Sequence, residues 1–142
     1  MASQVSFYTL SSEDDESRLQ FACRLSEKAL NLGHRVAIQV SSAAQVKRLD
    51  ELLWQFKPAS FLPHSIAPAA PAGGESISVG TAADLPAAGD VLVNLSNSVC
   101  EQHEQFNRIN EVLSADPDIL AAGRVSYRYY QNLGLPMETH KL

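Results

Sequence analysis

Cys100 and His103 have the spacing of a metal-binding pair. A structural zinc site takes four ligands, and His34, His64, His140 and Cys23 supply no second pair of similar spacing. Cysteine–histidine nucleophilic chemistry also needs a third group to orient the base, and no flanking signature provides one. Asp84, Asp90, Asp116 and Asp118 are spread over turns and helix starts, without the inward-facing acid cluster that holds two magnesium ions. No active site, metal or cofactor is expected.

Binding chemistry is better represented. Arg124, Tyr127 and Arg128 lie three and four positions apart, and Gln131 extends the row, so a helix puts them on one face. Two guanidinium groups beside an aromatic body can receive a carboxylate next to an apolar side chain, as at the end of an acidic peptide. The same spacing also fits a solvated helix face with Tyr127 tucked against the core. Tyr129, Tyr130 and Lys141 continue the basic and aromatic interleaving, the pattern of a platform for single-stranded nucleic acid. The formal net charge of −5 opposes that alternative.

Trp54 and Phe61 form a second aromatic pair. Leu49, Leu52, Leu53 and Phe56 are the apolar stripe of a helix, which Lys57-Pro58 stops because proline pushes its predecessor out of the α region. Phe61-Leu62-Pro63-His64 then reads as an extended run at a sheet edge, since Pro63 has no amide hydrogen for a ladder. Aromatics at such an edge suit a partner chain; by periodicity alone both read more simply as core.

The elements that must carry these residues alternate. Gln4 to Leu10 reads as a strand, and Ser11-Ser12 followed by the acids 13–16 as a capped helix start. Leu19, Ala22, Cys23, Ser26, Ala29 and Leu30 form that helix's buried stripe, which Gly33 ends. Arg35 to Val40 is a second strand, and Ser41-Ser42 cap the helix that leads to Trp54. This order predicts an α/β chain, a three-layer sandwich around a mostly parallel sheet. SIAPAAPAGG (65–74) reads as a surface loop, and Glu75 to Gly80 and Asp90 to Leu95 as strands, the second central. Phe106, Ile109, Val112 and Leu113 mark a further helix, and Asp116-Pro117 opens another that closes near Gly134. The topology is Rossmann-like without a nucleotide site. The first strand-to-helix turn lacks glycines and carries four acids where phosphate would sit.

Length and composition agree with one domain spanning 1–142, 45% hydrophobic and 19% charged. No apolar run reaches membrane-span length and no basic-then-apolar leader opens the chain, so a cytoplasmic protein is expected. Two cysteines fit a reduced compartment.

Phe7-Tyr8; Cys23-Arg24-Leu25 with Glu27-Lys28; Gly33-His34-Arg35-Val36; LDELLW (49–54) followed by SFLPH (60–64); Asp90 to Leu95; and Gly123-Arg124 leading to Tyr127-Arg128 occur in this order. Together these segments resemble the chi subunit of the bacterial DNA polymerase III clamp-loader complex. The resemblance spans nearly the whole chain. It implies a non-catalytic adaptor with two partners and only indirect contact with DNA. A psi subunit would meet the positions matching Trp54, Phe61, Pro63 and His64. The acidic C-terminal tail of single-stranded DNA-binding protein would meet those matching Arg124, Tyr127 and Arg128. Where the family pattern has a lysine one turn before the arginine, this chain has Leu120, which implies a more apolar pocket.

Overall fold

The computed structural model describes residues 4–55, 64–66, 77–81, 89–99 and 103–142. Among them seven strands form one sheet: β1 (Gln4–Thr9), β2 (Val36–Gln39), β3 (His64–Ile66), β4 (Ile77–Gly80), β5 (Gly89–Asn94), β6 (Phe106–Leu113) and β7 (Met137–Lys141). Their spatial order is β3-β4-β2-β5-β6-β1-β7, and every pairing is parallel. Three helices accompany them: α1 (Asp15–Asn31), α2 (Ala43–Gln55) and α3 (Pro117–Asn132).

A parallel sheet needs cover on both faces, and the core is accordingly double. Leu19, Ala22 and Cys23 of α1 and Leu49, Leu52 and Leu53 of α2 pack with Val36, Ile38, Val91 and Val93 on one face. On the other, Tyr130 of α3 packs with Val5, Phe7, Leu92 and Ile109. The expected three-layer α/β architecture is therefore present. Cys23 is the small core residue expected, its thiol pushed up to about 12 by burial and so unreactive. No described helix is long and apolar enough to cross a membrane.

Asp14, not Ser11 or Ser12, caps α1. Its Oδ2 accepts the Ser17 N–H at 2.9 Å and the Ser17 hydroxyl at 2.7 Å. The helix terminus where a phosphate would bind in a nucleotide fold is thus taken by the chain's own carboxylate. Gly33 closes α1 with φ 86°, which costs an L side chain and not glycine.

The helix expected over Phe106 to Leu113 is instead strand β6. Its three-residue apolar spacing imitates a helix, but β6 lies between β5 and β1 and is covered on both faces, so burial does not alternate. The loop expected from Ser65 begins too early, because Ser65 and Ile66 belong to β3. β7 was not anticipated: METHK is an exposed edge segment with no apolar alternation, held by its ladder to β1. Phe56, Lys57, Pro58, Phe61, Pro63 and Cys100 lie outside the described residues.

Candidate functional site

Helix α3 is placed by its start, its floor and one buried anchor. Asp116 Oδ1 accepts the N–H groups of Asp118 (2.9 Å) and Ile119 (3.2 Å), and Pro117 occupies the first turn, where its missing N–H costs nothing. The helix lies so close to β6 that a Cβ on Gly123 would sit 2.5 Å from Leu113 Cδ1, so glycine there brings α3 down onto the sheet. The anchor is Tyr130. Its ring is fully buried, and its hydroxyl donates to Glu111 Oε1 at 2.8 Å.

Glu111 belongs to a wider polar network. Asn94 Nδ2 donates to Glu111 Oε1 (3.1 Å) and to the Ser98 carbonyl (2.8 Å). Asn94 Oδ1 accepts the Ser96 hydroxyl (2.6 Å), and Gln39 Nε2 donates to Ser96 Oγ (2.9 Å). Burial raises the Glu111 carboxyl from the ordinary 4.5 to about 7, against the lowering pull of Tyr130, Asn94 and Arg18. Nothing in the periodicity of β6 marked this residue, because its partners come from β5 and α3.

Above this anchor α3 forms a groove of about 190 Å³ with the sheet, lined by Leu120, Gly123, Arg124 and Tyr127 and closed by Phe7, Thr9, Leu113 and Thr139. The Tyr127 ring is half-buried, its centroid 5.4 Å from that of Phe7 at an interplanar angle of 57°, so it is a fixed wall. Arg124 is exposed at the rim. The expected trio is thus only partly brought together: Arg124 and Tyr127 line the groove, whereas Arg128 stands exposed one turn further along. Leu120, noticed only as a departure from a family pattern, lines the groove as well.

The alternative stacking platform does not form as a unit. Tyr130 is fully buried, and Tyr129 turns its ring edge-on to His103, with centroids 5.9 Å apart. His103 is itself buried against Tyr129 and Tyr130, and no group of three or more potential metal ligands exists among the described residues.

At the other end of the sheet, Trp54 is the penultimate residue of α2 and is 58% exposed, which overturns its reading as core. His64 opens β3, the edge strand, in register with Ile77. Six strand spacings of about 4.8 Å, roughly 29 Å, separate the edge strand β3 that His64 opens from the opposite edge strand β7, whose Thr139 helps close the α3 groove.

Residues 2–138 match the family model described as the DNA polymerase III chi subunit, HolC. The chain belongs to the DNA polymerase III chi subunit family. Among curated relatives, DNA polymerase III subunit chi of Pseudomonas aeruginosa is 34% identical over 139 residues, covering 98% of this chain and 96% of that protein. The chi subunit of Haemophilus influenzae is 26% identical over 149 residues, covering 100% and 99%. That of Escherichia coli K12 is 26% identical over 121 residues, covering 84% and 82%. Membership of this family places the chain in DNA replication.

Proposed function

We propose that this chi-family chain is a non-catalytic cytoplasmic adaptor of the DNA polymerase III clamp-loader complex. One end binds a psi-like subunit through Trp54, Phe61, Pro63 and His64. The other binds the acidic C-terminal tail of single-stranded DNA-binding protein through Arg124, Tyr127 and Arg128. The link to DNA is indirect, through the protein that coats it.

The observation that carries this reading is the α3 groove, which sets a guanidinium beside an aromatic wall and an apolar floor. A peptide ending in an apolar residue presents a terminal carboxylate next to its last side chain. The carboxylate meets Arg124, whose paired donors match it and whose charge is permanent. The side chain packs on Tyr127, Leu120 and Leu113, and preceding acidic residues meet Arg128 outside the groove. Exposed charge pairs are screened, so affinity falls as salt rises.

The placement of β3 and β7 on opposite edges of the sheet supports simultaneous occupation. Size-exclusion chromatography of the chain with a psi-like subunit and a fluorescent tail peptide tests it. The label should co-elute with a ternary complex, and displacement of one partner by the other would contradict the adaptor reading.

A further inference from the structure

A second, larger groove lies on the opposite face of β1, and nothing in the adaptor reading uses it. It measures about 450 Å³ and runs between the end of α1 and the amino-terminal parts of β5 and β6. Its apolar side is Leu25, Ala29, Leu32 and Val91, and Leu32 is 67% exposed. Its polar side is Lys28, His34 and Arg108 together with Asn107 and Asn110. Asp90, the one acid among the described lining residues, has its Oδ2 engaged by the Arg35 backbone N–H at 2.8 Å. Tyr8 closes the groove, braced by His140 (rings 14° from parallel, centroids 4.8 Å apart) and by Phe21 (5.4 Å).

The charge around this groove contradicts that of the molecule. The chain is formally −5, yet Lys28 and Arg108 line the groove from different elements, Arg108 with its Nη2 donating to Gln4 Oε1 at 3.3 Å, and Arg24 and Arg35 lie exposed nearby in the sequence of α1 and ahead of β2. Of the acids of α1, Asp15 and Glu16 lie in the first turn behind the Asp14 cap, and Glu27 alone precedes Lys28 near the groove end. Lys28 complements the negative end of the α1 dipole, but that role leaves its ammonium exposed at the groove.

We propose that this groove is a second docking site, for an acidic peptide segment of a partner protein that carries an apolar side chain. Lys28 and Arg108 hold its carboxylates. Leu25, Ala29, Leu32 and Val91 take its apolar side chain. Nucleic acid fits less well. The Tyr8 ring is already stacked on His140 with Phe21 tilted against it, and the apolar wall has no counterpart in a phosphate backbone. The site is independent of the α3 groove, because β1 sends Tyr8 to one side and Phe7 and Thr9 to the other.

The test is fluorescence anisotropy of the full chain with a labelled peptide of alternating aspartate and leucine. It is run in an Arg124→Ala background, so that the α3 groove does not supply the signal. Lys28→Glu and Arg108→Glu should each weaken binding about tenfold, as reversal of a contacting charge does, and added salt should weaken it further. Lys28 is exposed on a helix, so its variant keeps the fold even if Arg108→Glu disturbs β6. Unchanged affinity in the Lys28→Glu variant overturns the proposal. So does binding of a labelled thymidine oligonucleotide in place of the peptide, which would assign the groove to nucleic acid. Loss of tail binding at the α3 groove would leave this result untouched.

Discussion

The groove under α3 and the groove under the end of α1 lie on opposite faces of the sheet and differ in what fixes their walls. The α3 groove is small, about 190 Å³, with an aromatic wall tilted against Phe7 and one guanidinium at the rim. The α1 groove is more than twice that volume and mixes two cations and two carboxamides with its apolar side. Their shared strand explains the contrast. Side chains of β1 alternate between the faces, so Phe7 and Thr9 serve one groove and Tyr8 the other. The two helices are also held differently. Arg18 ties α1 to β6 through a buried guanidinium whose Nε donates to the Val112 carbonyl at 2.8 Å. The tie of α3 is the Tyr130–Glu111 hydrogen bond within a buried network. Damage to one anchor should therefore be felt in one groove.

The largest effect expected is at that anchor. Tyr130→Ala removes a fully buried aromatic and leaves Glu111 short of a donor, and should cost about 3–5 kcal/mol of stability by denaturant unfolding. In the surviving folded population, tail binding should weaken far more than binding at the α1 groove. Equal losses at both would show that α3 and α1 are not independently held.

The next effect is a pH dependence. Burial raises the folded Glu111 carboxyl to about 7 from an ordinary 4.5, so the folded state binds the proton more tightly than the unfolded one. Stability from this group is full below about 4.5, declines as pH rises towards 7, and is flat beyond, a change of roughly 3 kcal/mol at most. Glu111→Gln should remove that slope while its amide oxygen still accepts from Tyr130. Thermal melts of both proteins from pH 4.5 to 8 check it, and identical slopes would contradict it.

These two residues mark where sequence reading ends. The start of α3 was legible because Asp116-Pro117 is a local signal, with cap and proline adjacent in the chain. The edge position of the segment at His64 was legible for a similar reason, since Pro63 cannot donate to a ladder. Strand β6 was not. Asn110 and Glu111 are buried polar residues whose setting is made by distant strands and helices, and Phe106, Ile109 and Val112 repeat at a helix-like interval. The trio on α3 was legible as a face, but the sheet residues Phe7, Thr9 and Thr139 that turn the face into a groove come from the two ends of the chain.

A smaller effect concerns the partner surface at the far edge. Phe61→Ala should lower affinity for a psi-like subunit by about 2 kcal/mol by calorimetry, with tail binding unchanged. Unchanged psi affinity would remove Phe61 from that surface.

The smallest effect sharpens the chemistry of the α3 groove itself. Leu120→Lys adds a cation beside Arg124 and should strengthen tail binding by about 0.2–1 kcal/mol at low salt, the range of an exposed pair. Weaker binding would mean that the apolar floor contributes more than the added charge.

The central claim is that Arg124 in the α3 groove receives the terminal carboxylate of an acidic tail. Its most direct test is titration of a fluorescent tail peptide against the wild-type chain and Arg124→Ala, each with a free-acid and an amidated C-terminus. Loss of one charge-assisted contact of roughly 1.5–3 kcal/mol predicts that Arg124→Ala binds the free-acid peptide about tenfold or more weakly. The same variant should hardly distinguish the amidated peptide from the free acid. Equal affinity of the two proteins for the free-acid tail would contradict the account.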